Sequence, residues 1–131
     1  YEMTSSLVGS EMCIRDRILD NVNAVGKVLG ELLEQLKETH PCVGDVRYIG
    51  LFSSIELVKD KGTREPLVPY GKDPEGIMGK IIGMLRAKGF MTYSHENMLF
   101  VSPPLIITET QLREEMEKMD QVLTQVDQTM L

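Results

Sequence analysis

Residues 97–108, N-M-L-F-V-S-P-P-L-I-I-T, are the stretch from which the rest of the chain is read. Met98, Leu99, Phe100 and Val101 form an apolar run of strand length, rich in residues that suit a pleated, half-buried surface. Ser102, Pro103 and Pro104 end it, because two successive prolines remove two backbone donors and fix φ twice. Leu105, Ile106 and Ile107 come next, and Thr108 opens a helix. Residues alone leave two readings open for this rigid, apolar exit from a strand. It is one wall of a cavity, or it is a plain strand-to-helix connection packed on the core.

Working outward from there, Thr108 and Gln111 write a capping box, and Ile107 is placed to staple onto Leu112. The helix stripe continues through Met116, Met119, Leu123, Val126 and Met130. Upstream, Phe90–Tyr93 reads as a short strand that turns over His95–Asn97 and returns as Met98–Val101. Asp73-Pro74 is a cap-and-start pair for a helix whose face is Ile77, Met78, Ile81, Ile82 and Leu85, with Gly89 as a left-handed stop. Asp60–Lys72 is a polar, Gly- and Pro-bearing loop.

Val43–Lys59 predicts two antiparallel strands, or one long bulged strand, turning near Tyr48–Gly50. In its second half Leu51, Ser53, Ile55 and Leu57 alternate with Phe52, Ser54, Glu56 and Val58. Ile18, Val22, Val25, Leu29, Leu32 and Leu36 mark an amphipathic helix that must end before Pro41. Gly26 and Gly30 each weaken it by about 1 kcal/mol against Ala unless close packing needs them. The order α-β-β-α-β-β-α predicts an α+β fold, a small antiparallel sheet with helices on one face.

With 131 residues the chain has the length of one domain. A net charge of −6 without clustered Lys and Arg excludes a nucleic-acid surface, and no stretch has the apolar length of a membrane span. Cys13 and Cys42 lack metal or redox spacing, which reads as structural cysteines in a reducing, cytoplasmic compartment. Residues 1–17 carry no periodicity that continues into the stripe starting at Ile18, and S-L-V-G-S-E-M-C-I-R-D-R resembles translated adapter read-through. That segment is therefore expected to be non-native, with the domain proper over 18–131.

Catalytic constellations are sparse. His40 and His95 lie in different loops, neither with a Cys or acidic partner at metal-ligand spacing. Ser53-Ser54 lack a nucleophile-elbow context, and no glycine-rich phosphate loop occurs. Lys59, Lys61, Lys72, Lys80 and Lys88 sit in charged contexts unlike that of a desolvated Schiff-base lysine. The methionines read as core filler, and Glu114, Glu115 and Glu117 as a solvated helix face.

Taken together, V-G-D-V-R-Y-I-G-L-F-S-S-I-E-L-V-K-D (43–60), the T-x-x-P-L loop (Thr63–Leu67) and N-M-L-F-V-S-P-P-L-I-I-T-E (97–109) resemble the C-terminal small domain of class III aminotransferases. The resemblance covers roughly residues 18–129. It implies a fold type I enzyme that uses pyridoxal 5'-phosphate in a ping-pong transfer of an amino group, from an amine or ω-amino acid donor to a keto acid such as pyruvate. It further implies a homodimer, and a large domain, missing here, that holds the Schiff-base lysine and most of the cofactor contacts. This chain is then expected to contribute no catalytic, cofactor-binding or metal-binding residue. Phe100, Val101, Ser102 and Pro103 would line the substrate side, and Arg47 would lie near the same mouth. Phe100 stands where some members carry a carboxylate-gripping arginine, which points away from an α-amino acid held by a charge-assisted fork. Tyr48 stands at the first glycine of the family's V-R-G-x-G turn, where a left-handed backbone would cost a bulky residue about 1 kcal/mol or more.

Two other readings need no upstream partner. One is a self-contained α/β module that binds a metabolite or pairs with itself. The other is an interaction domain using helix 110–129 as a helical seam.

Overall fold

The computed structural model describes the backbone of residues 2–131 and the side chains of residues 16–131. Its elements run α1 (Glu2–Thr39), β1 (Val43–Ile49), β2 (Phe52–Asp60), β3 (Glu65–Pro66), α2 (Ile77–Ala87), β4 (Ser94–His95), β5 (Met98–Val101) and α3 (Glu109–Thr129). The strands form one antiparallel sheet in the order β1-β2-β5-β4, and β3 pairs with the far end of β2. This is the α+β architecture expected, with its three helices on one side of the sheet.

Alternation decides the two sides. Ile55, Leu57, Leu99 and Val101 point into one core with Leu29, Leu33, Ile81, Leu85, Met119 and Leu123 from the helices. Their strand neighbours Phe52, Ser54, Glu56, Met98 and Phe100 point the other way and are half-buried or exposed. The stripe of α3 is consumed in this core, Leu112, Met116, Met119, Leu123 and Val126 all being buried, so the helix keeps no free apolar seam.

Several local expectations shift. Helix α1 begins at Glu2 rather than near Ile18, since residues 2–17 contain no proline and one glycine and nothing in them stops a helix. In its packed half Leu33 is fully buried, whereas Leu32 is only half-buried, because the helix turns its 25–29–33–36 row to the sheet. Gly26 and Gly30 are required by packing. A Cβ at Gly26 would lie 2.8 Å from the carbonyl oxygen of Gly50, and one at Gly30 would lie 2.7 Å from the Tyr48 ring.

Tyr48 avoids left-handed strain because Gly50 (φ 56°) takes that conformation two residues on. Its ring fills the space over Gly30, and its hydroxyl donates to Glu34 Oε1 at 3.2 Å. The predicted 60–72 loop contains the short strand β3 and buries Leu67 and Val68.

Helix α2 starts at Ile77, not at Pro74, because Gly76 (φ 64°) inserts a left-handed turn. Asp73 still caps it, its carboxylate accepting from Ile77 N at 2.8 Å and Met78 N at 3.0 Å. At the other end Gly89 N bonds to Arg86 O and Phe90 N to Leu85 O, a Schellman stop that carries Phe90 into the core. Phe90 is thereby a helix-end residue, and the strand expected over 90–93 forms only at Ser94–His95. Thr92 Oγ1 and the Tyr93 carbonyl still bond to the backbone of Phe100, so this segment runs beside β5 without completing the ladder. The capping box of α3 forms as expected, Thr108 and Gln111 exchanging side-chain bonds at 3.1 and 3.2 Å.

Candidate functional site

Sheet register brings Arg47 and Phe100 into one cross-strand row. Arg47 pairs with Ser54, Ser54 pairs with Phe100, and the amide of Phe100 donates to Tyr93 O at 3.2 Å. All four lie on the face away from the helices. Phe100 stacks on Tyr93 with ring centroids 4.6 Å apart and meets Phe52 at 6.2 Å. Such aromatic pairs add about 0.5–1.5 kcal/mol each beyond area burial. With Ile49, 78% exposed, they make an apolar strip along this open face.

Arg47 projects from its edge strand with 68% of its side chain exposed. Its Nε lies 3.6 Å from Asp45 Oδ2 and its Nη2 lies 3.7 Å from Glu56 Oε2, too far for tight hydrogen bonds. Burial works against the Asp45 carboxylate. The Lys37 hydrogen bond, the Val46 amide and the charges of Lys37 and Arg47 outweigh it and hold the Asp45 pKa below its ordinary 3.8.

Val101, Ser102 and Pro103 sit elsewhere. Because successive strand residues face opposite ways, Val101 turns from the open face into the core. It floors a pocket of about 210 Å³ whose walls include Ser102, Pro103, Pro104, Met91 and Glu115. The four expected wall residues are therefore divided: Phe100 serves the open sheet face, and the other three serve the mouth between β5 and α3. The diproline corner lines this hollow, and Ile107 beyond it is buried in the core.

Sequence reasoning overlooked several contributors. Tyr93 and Phe52 complete the aromatic strip, and a hairpin register placing residue 93 beside 100 was the signal for the first. Asn21 on α1 donates its side-chain amide to Leu105 O (2.7 Å) and Ile107 O (3.0 Å), and so pins the chain beyond the prolines. His40, read as a loop histidine, is 3% exposed and lies between two aspartates of α3. Nδ1 is 2.6 Å from Asp127 Oδ2 and Nε2 is 2.6 Å from Asp120 Oδ1, while Asp127 Oδ1 accepts from Cys42 N at 2.9 Å. This tie joins α1 and β1 to α3. Burial, reinforced by Asp127, pushes the Cys42 thiol far above its ordinary pKa, which makes it an inert core residue.

All lysines among the described residues are exposed or half-exposed, so none offers the desolvated amine that a pyridoxal-phosphate aldehyde requires. Among the described residues no three His, Cys, Asp or Glu side chains are grouped to hold a metal ion, and no helix is long and apolar enough to cross a membrane.

A taurine:2-oxoglutarate aminotransferase from Bifidobacterium kashiwanohense, solved with PLP and glutamate, superposes with a TM-score of 0.85 at 41% identity. The match covers 89% of this chain and 26% of that one. The taurine–pyruvate aminotransferase of Bilophila wadsworthia is 34% identical over 125 residues, 95% of this chain and 27% of its own length. The ethanolamine-phosphate phospho-lyase homolog 1 of Caenorhabditis elegans is 34% identical over 112 residues, 83% of this chain and 23% of its own. The chain thus spans about a quarter of the length of the curated relatives it matches. The family described as aminotransferase class-III matches residues 8–123, most of the sequence, and the chain belongs to that family.

Proposed function

We propose that residues 18–131 are the C-terminal small domain of a pyridoxal-phosphate-dependent transaminase of fold type I, whose remaining three-quarters cover the open sheet face. The observation that carries this reading is the strip formed by Ile49, Phe52, Tyr93 and Phe100, an apolar row left bare on a sheet whose other side carries the core. A chain about a quarter of its relatives' length supports an absent neighbour of matching size. Residues 1–17 are read as foreign to the domain, although the family match begins inside them. The whole enzyme is a cytoplasmic homodimer in this reading, and the free, buried Cys42 suits a reducing compartment.

The reaction is the transfer of an amino group from an amine or ω-amino acid to a keto acid such as pyruvate. The names of the taurine aminotransferases among the relatives support that donor class. Within it, this domain shapes and closes the substrate side. Phe100 presents an aromatic surface to the neighbour's pocket, Arg47 supplies a loosely held cation in the same row, and Ser102 and Pro103 form a stiff rim. Replacing Phe100→Arg in the intact enzyme should move donor preference toward substrates with a free carboxylate. An unchanged donor profile would count against the wall. Purified 18–131 mixed with pyridoxal phosphate should show no internal Schiff-base absorbance, and its appearance would refute the division of labour.

A further inference from the structure

We propose that the cleft between the C-terminal turn of α1, the bulged start of β1 and the loop after β2 binds a compact multivalent oxyanion, such as a diphosphate or a tricarboxylate. This reading shares Arg47 with the proposed substrate row and rests otherwise on Lys37, Lys61 and Arg64, which lie outside that row. The cleft has a volume of about 460 Å³ and is lined by Lys37, Arg47, Lys61 and Arg64 against only Asp45 and Glu56. Counting those charges leaves a surplus of two positive in a chain whose net charge is −6. A local field of that sign on an acidic protein draws anions to one place.

The two acids are already engaged from within the cleft. Asp45 accepts from Lys37 Nζ at 3.2 Å, and Arg47 lies between Asp45 and Glu56 at 3.6 and 3.7 Å. Among the described residues Lys61 donates to a neutral partner alone, the backbone carbonyl of Lys37. Arg64 has no ion pair or side-chain hydrogen bond among the described residues, so its planar fork is uncommitted and matches an oxyanion well.

The backbone is shaped to leave this space. Pairing of β1 with β2 slips between Val43 and Asp45, so Gly44 is a bulged extra residue. A Cβ there would lie 2.5 Å from Val58 Cγ1, so the strand reaches this closeness only with glycine, and Gly44 and Val58 together floor the cleft. The occupant is a small ligand rather than a hydrophobic partner, because the walls are predominantly charged and the volume falls in the range of small-molecule sites.

The test is calorimetric and amide-shift titration of the 131-residue chain with pyrophosphate, with citrate, and with sodium chloride at matched ionic strength. Saturable binding of either multivalent anion, with shifts centred on residues 44–47 and 61–64, supports the site. Pyrophosphate alone assigns it to phosphates and citrate alone to polycarboxylates. Lys61→Ala with Arg64→Gln should weaken binding by about tenfold or more, as expected for losing two charge-assisted contacts. Arg64→Gln alone, an exposed change with no partner to lose, keeps the test readable if the double variant misfolds. Lys59→Gln, outside the cleft, should leave affinity unchanged. Shifts no larger than those with chloride overturn the proposal. So does binding indifferent to Lys61 and Arg64, or equally weakened by Lys59→Gln.

Discussion

The two faces of one strand, β5, behave as two different materials. Leu99 and Val101 on the helix side are at most 3% exposed and sit in a core continuous with all three helices. Phe100 between them belongs to a strip whose members Ile49, Phe52 and Tyr93 are each more than half exposed. Both faces are apolar, so hydrophobicity alone does not distinguish them. What differs is that Leu99 and Val101 find their packing partners among the described residues, whereas the outer strip is left exposed by them. The covered face shows how this fold satisfies itself, and the bare one is the face that the proposed function assigns to the rest of the enzyme.

The sharpest way to break that contrast is truncation on each side. Leu99→Ala should cost about 3 kcal/mol in urea unfolding, and Phe100→Ala only about 1 kcal/mol, the loss of its aromatic stack. Equal costs would mean that the open face is not open. Next, His40→Ala should cost about 2 kcal/mol by removing two charge-assisted contacts that tie α1 to α3 behind the covered face. A neutral result would make that tie incidental.

A smaller effect tests the helix–sheet contact. Gly30→Ala should destabilise by about 1 kcal/mol because its Cβ meets the Tyr48 ring. In a Tyr48→Ala background the same change should become stabilising by a similar amount, as helix propensity takes over. Additive behaviour would show that the ring does not sit there.

The smallest effect belongs to the polar end of the open face. Asp45 has a native pKa below 3.8, so its contribution is fully present above that value and is lost as pH falls from 3.8 toward the lower native one. Asp45→Asn should flatten the acid limb of a stability–pH curve there by a small amount, since the group is partly exposed. An unchanged limb would mean that Asp45 contributes nothing to acid stability.

Much of the architecture was readable because its signals are local. Alternation through Leu51, Ser53, Ile55 and Leu57, the Thr108–Gln111 box and the Gly89 stop each depend on backbone geometry spanning a few residues, and each formed as expected. Where a signal had two local solutions, the reading slipped. Asp73 caps α2 from four residues back because Gly76 allowed an extra turn, and Leu33 rather than Leu32 took the core position. The site was less legible. Phe100 and Val101 are neighbours in the chain and opposites in space, and no periodicity says which face of the sheet stays bare.

By itself, the order of residues determined the element types, the caps and stops, and through its ordered motifs the class-III aminotransferase family. Only the folded chain decided that Arg47 and Phe100 share a row, that Gly30 makes room for Tyr48, and that His40 lies between aspartates 80 and 87 residues away. The reason is one of range. Helix and strand periods arise from dihedral geometry within a turn or two, whereas contacts between distant residues depend on how whole faces pack, and no short window of sequence contains that sum.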